Sequence, residues 1–377
     1  MKPTQNPKSS KSPQKLRYAV VGLGNIAQVA VIPAFRTAKN SELVAFVSSD
    51  AKKLKVLGKK YGVKTLLGYE QYDELLSSGV IDAVYICLPN SMHEDYTLRA
   101  AKAGIHILCE KPLATSESSA RKMKEVCEKQ NVKLMTAYRL HFDPANLDTL
   151  KQLRDGKIGE LKYFSAIFSQ ELRRGDIRSS AELGGGAVSD MGIYCINAAR
   201  MCFGAEPTEV FAYSVRNTDS RFTETEEMAS VMMRFPNDRL ATFTTSMAAA
   251  SVGTFDIVGT KGNIHLNPAF GYGQATHREM KIGERTQKKT FPEKDQFAGE
   301  IEYFSNCVIQ NKVIEPDGNE GQVDVAIIEA IYKSAKIGKP VKVDAHKTAA
   351  RPKLSQKLSK PAHKPVKPVN APSPAVS

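Results

Sequence analysis

Apolar residues in the first third of the chain gather into short, nearly unbroken runs at 18–21, 43–48, 83–88, 106–109 and 133–137. Stretches with helical spacing separate them, over 50–61, 93–103 and 116–130. Strands that are apolar on both faces and alternate with helices predict a parallel sheet covered on both sides. Beyond a helix expected at 144–154 the runs lengthen, at 163–171, 209–216, 229–235, 240–245 and 254–258. Gly259-Thr260-Lys261-Gly262 then reads as a hairpin turn into 263–266. Short connections between successive strands predict a largely antiparallel sheet. Helices are expected over 187–202, 296–310 and 321–336, with a last strand at 341–343. The predicted fold class is α/β: an N-terminal Rossmann-type, doubly wound parallel sheet plus a C-terminal α+β domain with a large, mostly antiparallel sheet. The expected boundaries are 16–138 and 139–344, and 377 residues suit two such domains.

The charge changes how the ends are read. Of the net +13, residues 1–17 hold five Lys or Arg and no acid, and residues 345–377 hold seven and no acid, which leaves +1 for residues 18–344. The basicity belongs to two tails rich in Lys, Pro, Ser and Ala. Such segments bury little apolar surface, so 1–15 and 345–377 are expected to be disordered basic arms. A near-neutral core gives no reason to expect a specific nucleic-acid partner. No run of 18 apolar residues occurs, and the N-terminus lacks an apolar leader core, so no membrane partner and a cytoplasmic location are expected. The six cysteines form no C-x-x-C pair and the seven histidines show no ligand spacing, so no metal is expected.

The chemistry starts at Gly22-Leu23-Gly24-Asn25-Ile26-Ala27, a G-x-G-x-x-A turn between the first strand and a helix. Its glycines admit a pyrophosphate to backbone N–H groups at the helix start. The second strand ends in Ser48-Ser49-Asp50, followed by Lys52 and Lys53. Asp50 can bind a ribose hydroxyl or cap the next helix, whereas Ser48 and Lys53 suit a 2′-phosphate, so the sequence favours NADP. Two further strands end in Leu88-Pro89-Asn90-Ser91-Met92-His93 and Cys109-Glu110-Lys111-Pro112. Both ends belong to the edge where open α/β sheets bind ligands. Asp190, Tyr194 and Asn197 are spaced four and three apart, which puts them on one face of an otherwise apolar helix.

Together, G-x-G-x-x-A at Gly22, E-K-P at Glu110, Y-R at Tyr138 and G-G-G-x-x-x-D-x-G-x-Y from Gly184 to Tyr194 resemble the Gfo/Idh/MocA family of sugar oxidoreductases. Tyrosine at 194, where many relatives carry histidine, marks one branch of that family. The resemblance implies Lys111, Asp190 and Tyr194 at the reacting carbon. It implies Gly22, Gly24, Asn25, Ile26, Ser48, Lys53, Tyr69, Leu88, Pro89, Asn90, His93, Glu110, Lys111, Arg139, Arg178 and Tyr272 around an NADP cofactor. It also implies a sugar substrate and a homo-oligomer, dimer or tetramer. The expected reaction is oxidation of a pyranose at its anomeric carbon to a lactone, coupled on bound NADP to reduction of a second sugar such as fructose. A simple NADP-dependent aldose 1-dehydrogenase and a non-catalytic NADP- or sugar-binding module are the alternatives.

Overall fold

The computed structural model describes residues 15–216, 218–344 and 352–376. β1 (Leu16–Val21), β2 (Ser41–Val47), β3 (Thr65–Leu67), β4 (Ala83–Ile86), β5 (His106–Glu110) and β6 (Leu134–Ala137) form one sheet. Their order is β3-β2-β1-β4-β5-β6, and every adjacent pair is parallel. That is the doubly wound order, with its reversal of direction between β1 and β4. The apolar runs fill both faces: Val20, Val84 and Ile107 are fully buried. Around the sheet lie α1 (Ile32–Ala34), preceded by a π-helical turn over Ala27–Val31, then α2 (Ala51–Tyr61), α3 (Tyr72–Ser77), α4 (His93–Lys102) and α5 (Glu117–Lys129). Side-chain caps start two of them, Asp50 accepting from Lys53 N and Ser116 from Ser119 N.

The second sheet contains β7 (Leu161–Glu171), β8 (Glu209–Val215), β9 (Met228–Phe235), β10 (Arg239–Ser246), β11 (Ala248–Gly259), β12 (Gly262–Asn267), β13 (Thr276–Ile282), β14 (Arg285–Phe291) and β15 (Val341–Lys342). The order is β14-β13-β12-β11-β7-β10-β9-β8-β15, antiparallel except for the central β7–β10 pair. The β13–β14 hairpin is absent from the sequence reading because β14, RTQKKTF, is an exposed edge strand without apolar alternation. Of the remaining helices, α6 (Pro144–Arg154), α7 (Ile193–Phe203) and α9 (Gly318–Ile337) contribute to the core on one face of this sheet. The other face leaves Tyr163, Ile167, Tyr213, Met232 and Leu240 exposed.

The two halves share helices. α8 (Gln296–Ile309) comes late in the chain yet packs Phe297, Ile301 and Phe304 against Tyr18, Phe46 and Tyr85 of the first sheet. The hydroxyls of Tyr18 and Ser305 meet at 2.6 Å beneath it. A buried ionic network joins α7 to α9. Arg200, fully buried, donates to Glu206 at 2.5 Å, Asp324 at 2.7 Å and Glu320 at 3.0 Å.

The C-terminal segment corrects an expectation. Disorder over 345–377 followed from its scarcity of apolar residues, yet residues 352–376 lie against the body. Gln356 is buried and donates to Glu315 O at 3.1 Å, and Lys360 reaches Glu302 on α8 at 2.5 Å. Hydrogen bonds and ion pairs hold what hydrophobic burial alone does not. The arm expected over 1–15 lies, apart from Lys15, outside the described residues.

Among the described residues, no helix is long and apolar enough to cross a membrane. No group of three or more His, Cys, Asp or Glu among them is placed to hold a metal ion, and all six cysteines are free and buried.

Removing the charge that offsets three buried carboxylates should be costly. Arg200→Leu is expected to lower unfolding free energy by about 3–5 kcal/mol in denaturant titration, the usual effect of breaking a buried ion pair from one side. A change below about 1 kcal/mol would show that the network contributes little to stability.

Candidate active site

Between the two sheets runs a cleft of about 890 Å³, floored by the C-terminal ends of β1, β4 and β5. The glycine-rich turn forms one end. Gly22 has φ of 92°, and a Cβ there would meet Cys87 O at 2.6 Å, so only glycine fits between β1 and β4. At Gly24 a Cβ would meet nothing within 4 Å. That open space, beside Asn25 and Ile26 at a helix start, can admit a pyrophosphate.

Ser48, Lys53 and Tyr69 line the same end of the cleft. Ser48 is nearly buried, and its hydroxyl accepts from Asp50 N at 3.2 Å. Asp50 acts as the helix cap: Oδ1 accepts from Lys53 N at 3.0 Å, while Oδ2 accepts from Asn370 at 3.2 Å. Its oxygens are thereby engaged within the protein, beside Ser48 and Lys53 at this end of the cleft. Burial pushes the Tyr69 phenol up to about 12, so it stays neutral at ordinary pH.

Further along, Leu88, Pro89 and Asn90 line the wall, with Asn90 donating to Gly184 O at 2.8 Å. His93 does not reach the cleft. It is fully buried, with Nδ1 2.9 Å from Pro112 O and Nε2 3.0 Å from Leu88 O. Its imidazole ties the segment after β4 to the one after β5, a structural role that its place at a helix start conceals.

The charged centre follows. Lys111 Nζ donates to Asp190 O at 2.8 Å and to Asp190 Oδ1 at 3.1 Å, and Arg178 Nε donates to Asp190 Oδ2 at 2.8 Å. Burial alone would raise the Asp190 pKa, but Arg178 and Lys111 overcome it and hold the carboxyl well below the usual carboxylate range. Burial likewise opposes the Lys111 charge, yet Asp190, with Tyr194 and Glu110 behind it, keeps its pKa above the ordinary value. Lys111 is therefore a fixed cation near neutrality. Tyr194 lies beside it, with Lys111 Nζ 4.7 Å and Arg139 Cζ 5.0 Å from its ring centroid. Arg139 is anchored by Gln296 at 2.6 Å and by Phe270 O at 2.5 Å, and stacks at 5.1 Å on Tyr272. Glu110 shares the hydroxyl of Tyr85 with Glu300, at 3.1 and 3.0 Å, and burial raises the pKa of both carboxyls.

Asn197 departs from the expected common face. Residues Val188–Gly192 make a π-helical turn before α7, and that wider turn shifts the register between Asp190 and the rest of the helix. Asn197 points away, to His141 at 2.7 Å and Asp324 at 2.9 Å. The cleft also holds residues that no motif flagged: Phe168, Gln274 and Phe297, plus Pro374 from the C-terminal segment. Phe168, an aromatic residue on the long strand β7, carries no local signature, so only the sheet's register brings it here.

Known proteins resemble this chain in sequence and in fold. A family model described as oxidoreductase family, NAD-binding Rossmann fold, matches residues 16–138, and the GFO/IDH/MocA C-terminal domain matches 148–265. The chain is 30% identical over 337 residues to the D-xylose 1-dehydrogenase [NADP(+)] of Haloarcula marismortui, covering 87% of this chain and 93% of that one. An aldose-aldose oxidoreductase from Caulobacter crescentus, solved with glycerol, superposes with a TM-score of 0.84 at 32% identity over 88% of this chain and 100% of its own. A 3-ketoreductase from Actinomadura kijaniata, solved with NADP and TDP-benzene, gives 0.79 at 26% identity over 85% and 98%.

The Asp190 ion pairs should be visible in acid stability. Because the folded pKa lies below the ordinary value of about 4, the carboxylate's contribution is complete above pH ~4 and is lost as pH falls through the folded value. Asp190→Asn should therefore be less stable than the parent at pH 7, with the gap closing on acidification. Denaturant titrations at pH 7 and pH 3 check this. An equal gap at both would remove Asp190 as the source.

Proposed function

Because the chain belongs to the GFO/IDH/MocA family of oxidoreductases, we propose that it is an NADP-dependent sugar oxidoreductase that oxidises an aldopyranose at its anomeric carbon to a lactone. One observation carries the reading: the glycine-rich turn and the Lys111–Asp190–Tyr194 cluster face one continuous cleft. Its dimensions suit a dinucleotide and a small polar substrate end to end. The open space at Gly24 fits a pyrophosphate, and Ser48 with Lys53 fits a 2′-phosphate. When bound, NADP supplies the two-electron acceptor.

The chain's own residues supply the rest. Tyr194 takes the proton of the anomeric hydroxyl as its C–H bond breaks and the carbonyl forms. Lys111 and Arg139, against the ring of Tyr194, stabilise the phenolate that accepts this proton. Lys111 also offers a donor to the sugar oxygen, and Asp190 holds that ammonium in place, with Arg178 fixing Asp190 in turn. Phe168, Phe270 and Tyr272 provide apolar surface for the face of a pyranose and exclude water.

The finer assignment is that NADP stays bound while a second sugar, such as fructose, returns the hydride, as in glucose-fructose oxidoreductase. The similarity to an aldose-aldose oxidoreductase supports it, while the similarity to a D-xylose 1-dehydrogenase supports single-sugar turnover with free cofactor. The exposed apolar face of the second sheet is our candidate surface for a homo-oligomer.

Tyr194→Phe and Lys111→Ala should each keep the fold and bound cofactor but lose about 10²–10⁴-fold in kcat. A Tyr194→Phe enzyme within a few-fold of the parent would place the base elsewhere. The retained-cofactor reading predicts that protein purified without added nucleotide shows one stoichiometric rise in nicotinamide absorbance on glucose, reversed by fructose. Nucleotide-free protein that reduces added NADP continuously on glucose or xylose would assign the dehydrogenase instead.

A further inference from the structure

The C-terminal segment crosses the nucleotide end of the cleft. Past Lys360 it leaves α8 and reaches the helix that follows the glycine-rich turn. There Val369 N donates to Gln28 Oε1 at 2.7 Å, and Gln28 Nε2 donates to Val369 O at 2.9 Å. Gln28 is fully buried; its Nε2 also donates to Leu23 O at 2.9 Å, whereas its Oε1 has the Val369 N–H as its partner. Asn25, in the turn itself, donates to Ala371 O at 2.9 Å, and Asn370 donates to the cap residue Asp50 at 3.2 Å. The chain then passes to the other half of the molecule. Arg173 N donates to Pro374 O at 2.7 Å and Val376 N to Glu171 O at 2.9 Å, at the end of β7. Leu172 and Ala375 form a bridge there, and Pro374 lines the cleft.

The anchor at Ala371 and the anchor at Pro374 are only three residue steps apart, with Pro372 and Ser373 between them. An extended chain of that length spans at most about 11 Å, so the two halves are tied together closely across the opening. Prolines at 361, 365, 368, 372 and 374 restrict the segment before it docks, which lowers the entropy lost on ordering. The segment carries Lys364 and Lys367 and no acid, a composition suited to lying over a polyanion.

We propose that residues 369–376 form the outer wall of the cofactor site and act as a strap that slows NADP(H) release. This rests on the NADP reading above and bears on whether the cofactor survives both half-reactions in place. Through Asn370, the strap also holds the Asp50 carboxylate on its cap. That contact keeps a negative charge from swinging toward a 2′-phosphate.

The test is the dissociation rate of NADPH, followed by its fluorescence in stopped flow after loading the full chain and chasing with excess NADP. One variant ends at Pro368, which leaves the Gln356 and Lys360 anchors intact. A second, Glu171→Cys with Val376→Cys, allows the strap to be closed by a disulfide. The native cysteines are all buried. Truncation should speed release by about tenfold or more, given several lost hydrogen bonds. Oxidation of the cysteine pair should slow release, and reductant should restore the parent rate. Release rates within twofold of the parent in both variants would overturn the strap while leaving the cofactor reading standing. A full-length chain that binds no NADP(H) would overturn the cofactor reading and, with it, this inference.

Discussion

Lys111 Nζ lies 3.1 Å from Asp190 Oδ1, and this ion pair joins the end of β5 in the first sheet to the turn that begins α7 over the second. Neither sheet alone makes a site. The first offers a glycine-rich turn and strand ends; the second offers an aromatic wall. A cation on one and an anion on the other bring them into register, and their burial makes the choice stringent. A buried Lys111 without its carboxylate would be expensive, which favours the juxtaposition of the halves at this spot. Arg178 completes the arrangement by taking the second oxygen of Asp190 at 2.8 Å. Tyr194, one turn along, is thereby set against Lys111.

Much of this was legible in the residue pattern, for a physical reason. Doubly buried parallel strands read as continuous apolar runs, so β1, β2, β4, β5 and β6 stand out at once, and only the three-residue β3 escapes. Gly22 stands where backbone geometry requires a glycine, and Gly24 stands beside open space. Lys111, Asp190 and Tyr194 were placed by motif rather than by spacing. Spacing misgrouped Asn197, since a π-helical turn at Val188–Gly192 breaks the α-helical count. His93 misled in a similar way. The resemblance implies it at the cofactor, yet its nitrogens lie against two carbonyls that the chain brings together only on folding.

The C-terminal segment shows where composition arguments stop. Its lack of apolar side chains is real, and it adds little to any core. What orders it is complementarity with positions far away in sequence: Gln28, Glu302, Glu315 and the end of β7. Each contact joins groups more than forty residues apart in sequence, and no local pattern announces such pairs. Proline, usually read as a mark of disorder, works in the opposite direction here by limiting the alternatives to the docked, extended form.

Charge is also distributed in a way that the net value conceals. Between 18 and 344 the protein is almost neutral, yet the cleft concentrates Lys53, Lys111, Arg139 and Arg178. Against them stand Asp50, Asp190 and Glu110. Asp50 is occupied as a helix cap and by Asn370, and Asp190 is matched by its two cations. Glu110 is a weaker anion than its formula suggests. It and Glu300 flank the single hydroxyl of Tyr85, which has one proton to donate, and burial raises the pKa of both acids. Burial thus works against the charge of both acids, while the cations are spread along the length of the cleft. That is the electrostatic profile a phosphate-rich dinucleotide requires. It also leaves a fixed cation beside Tyr194, where a sugar hydroxyl would give up its proton.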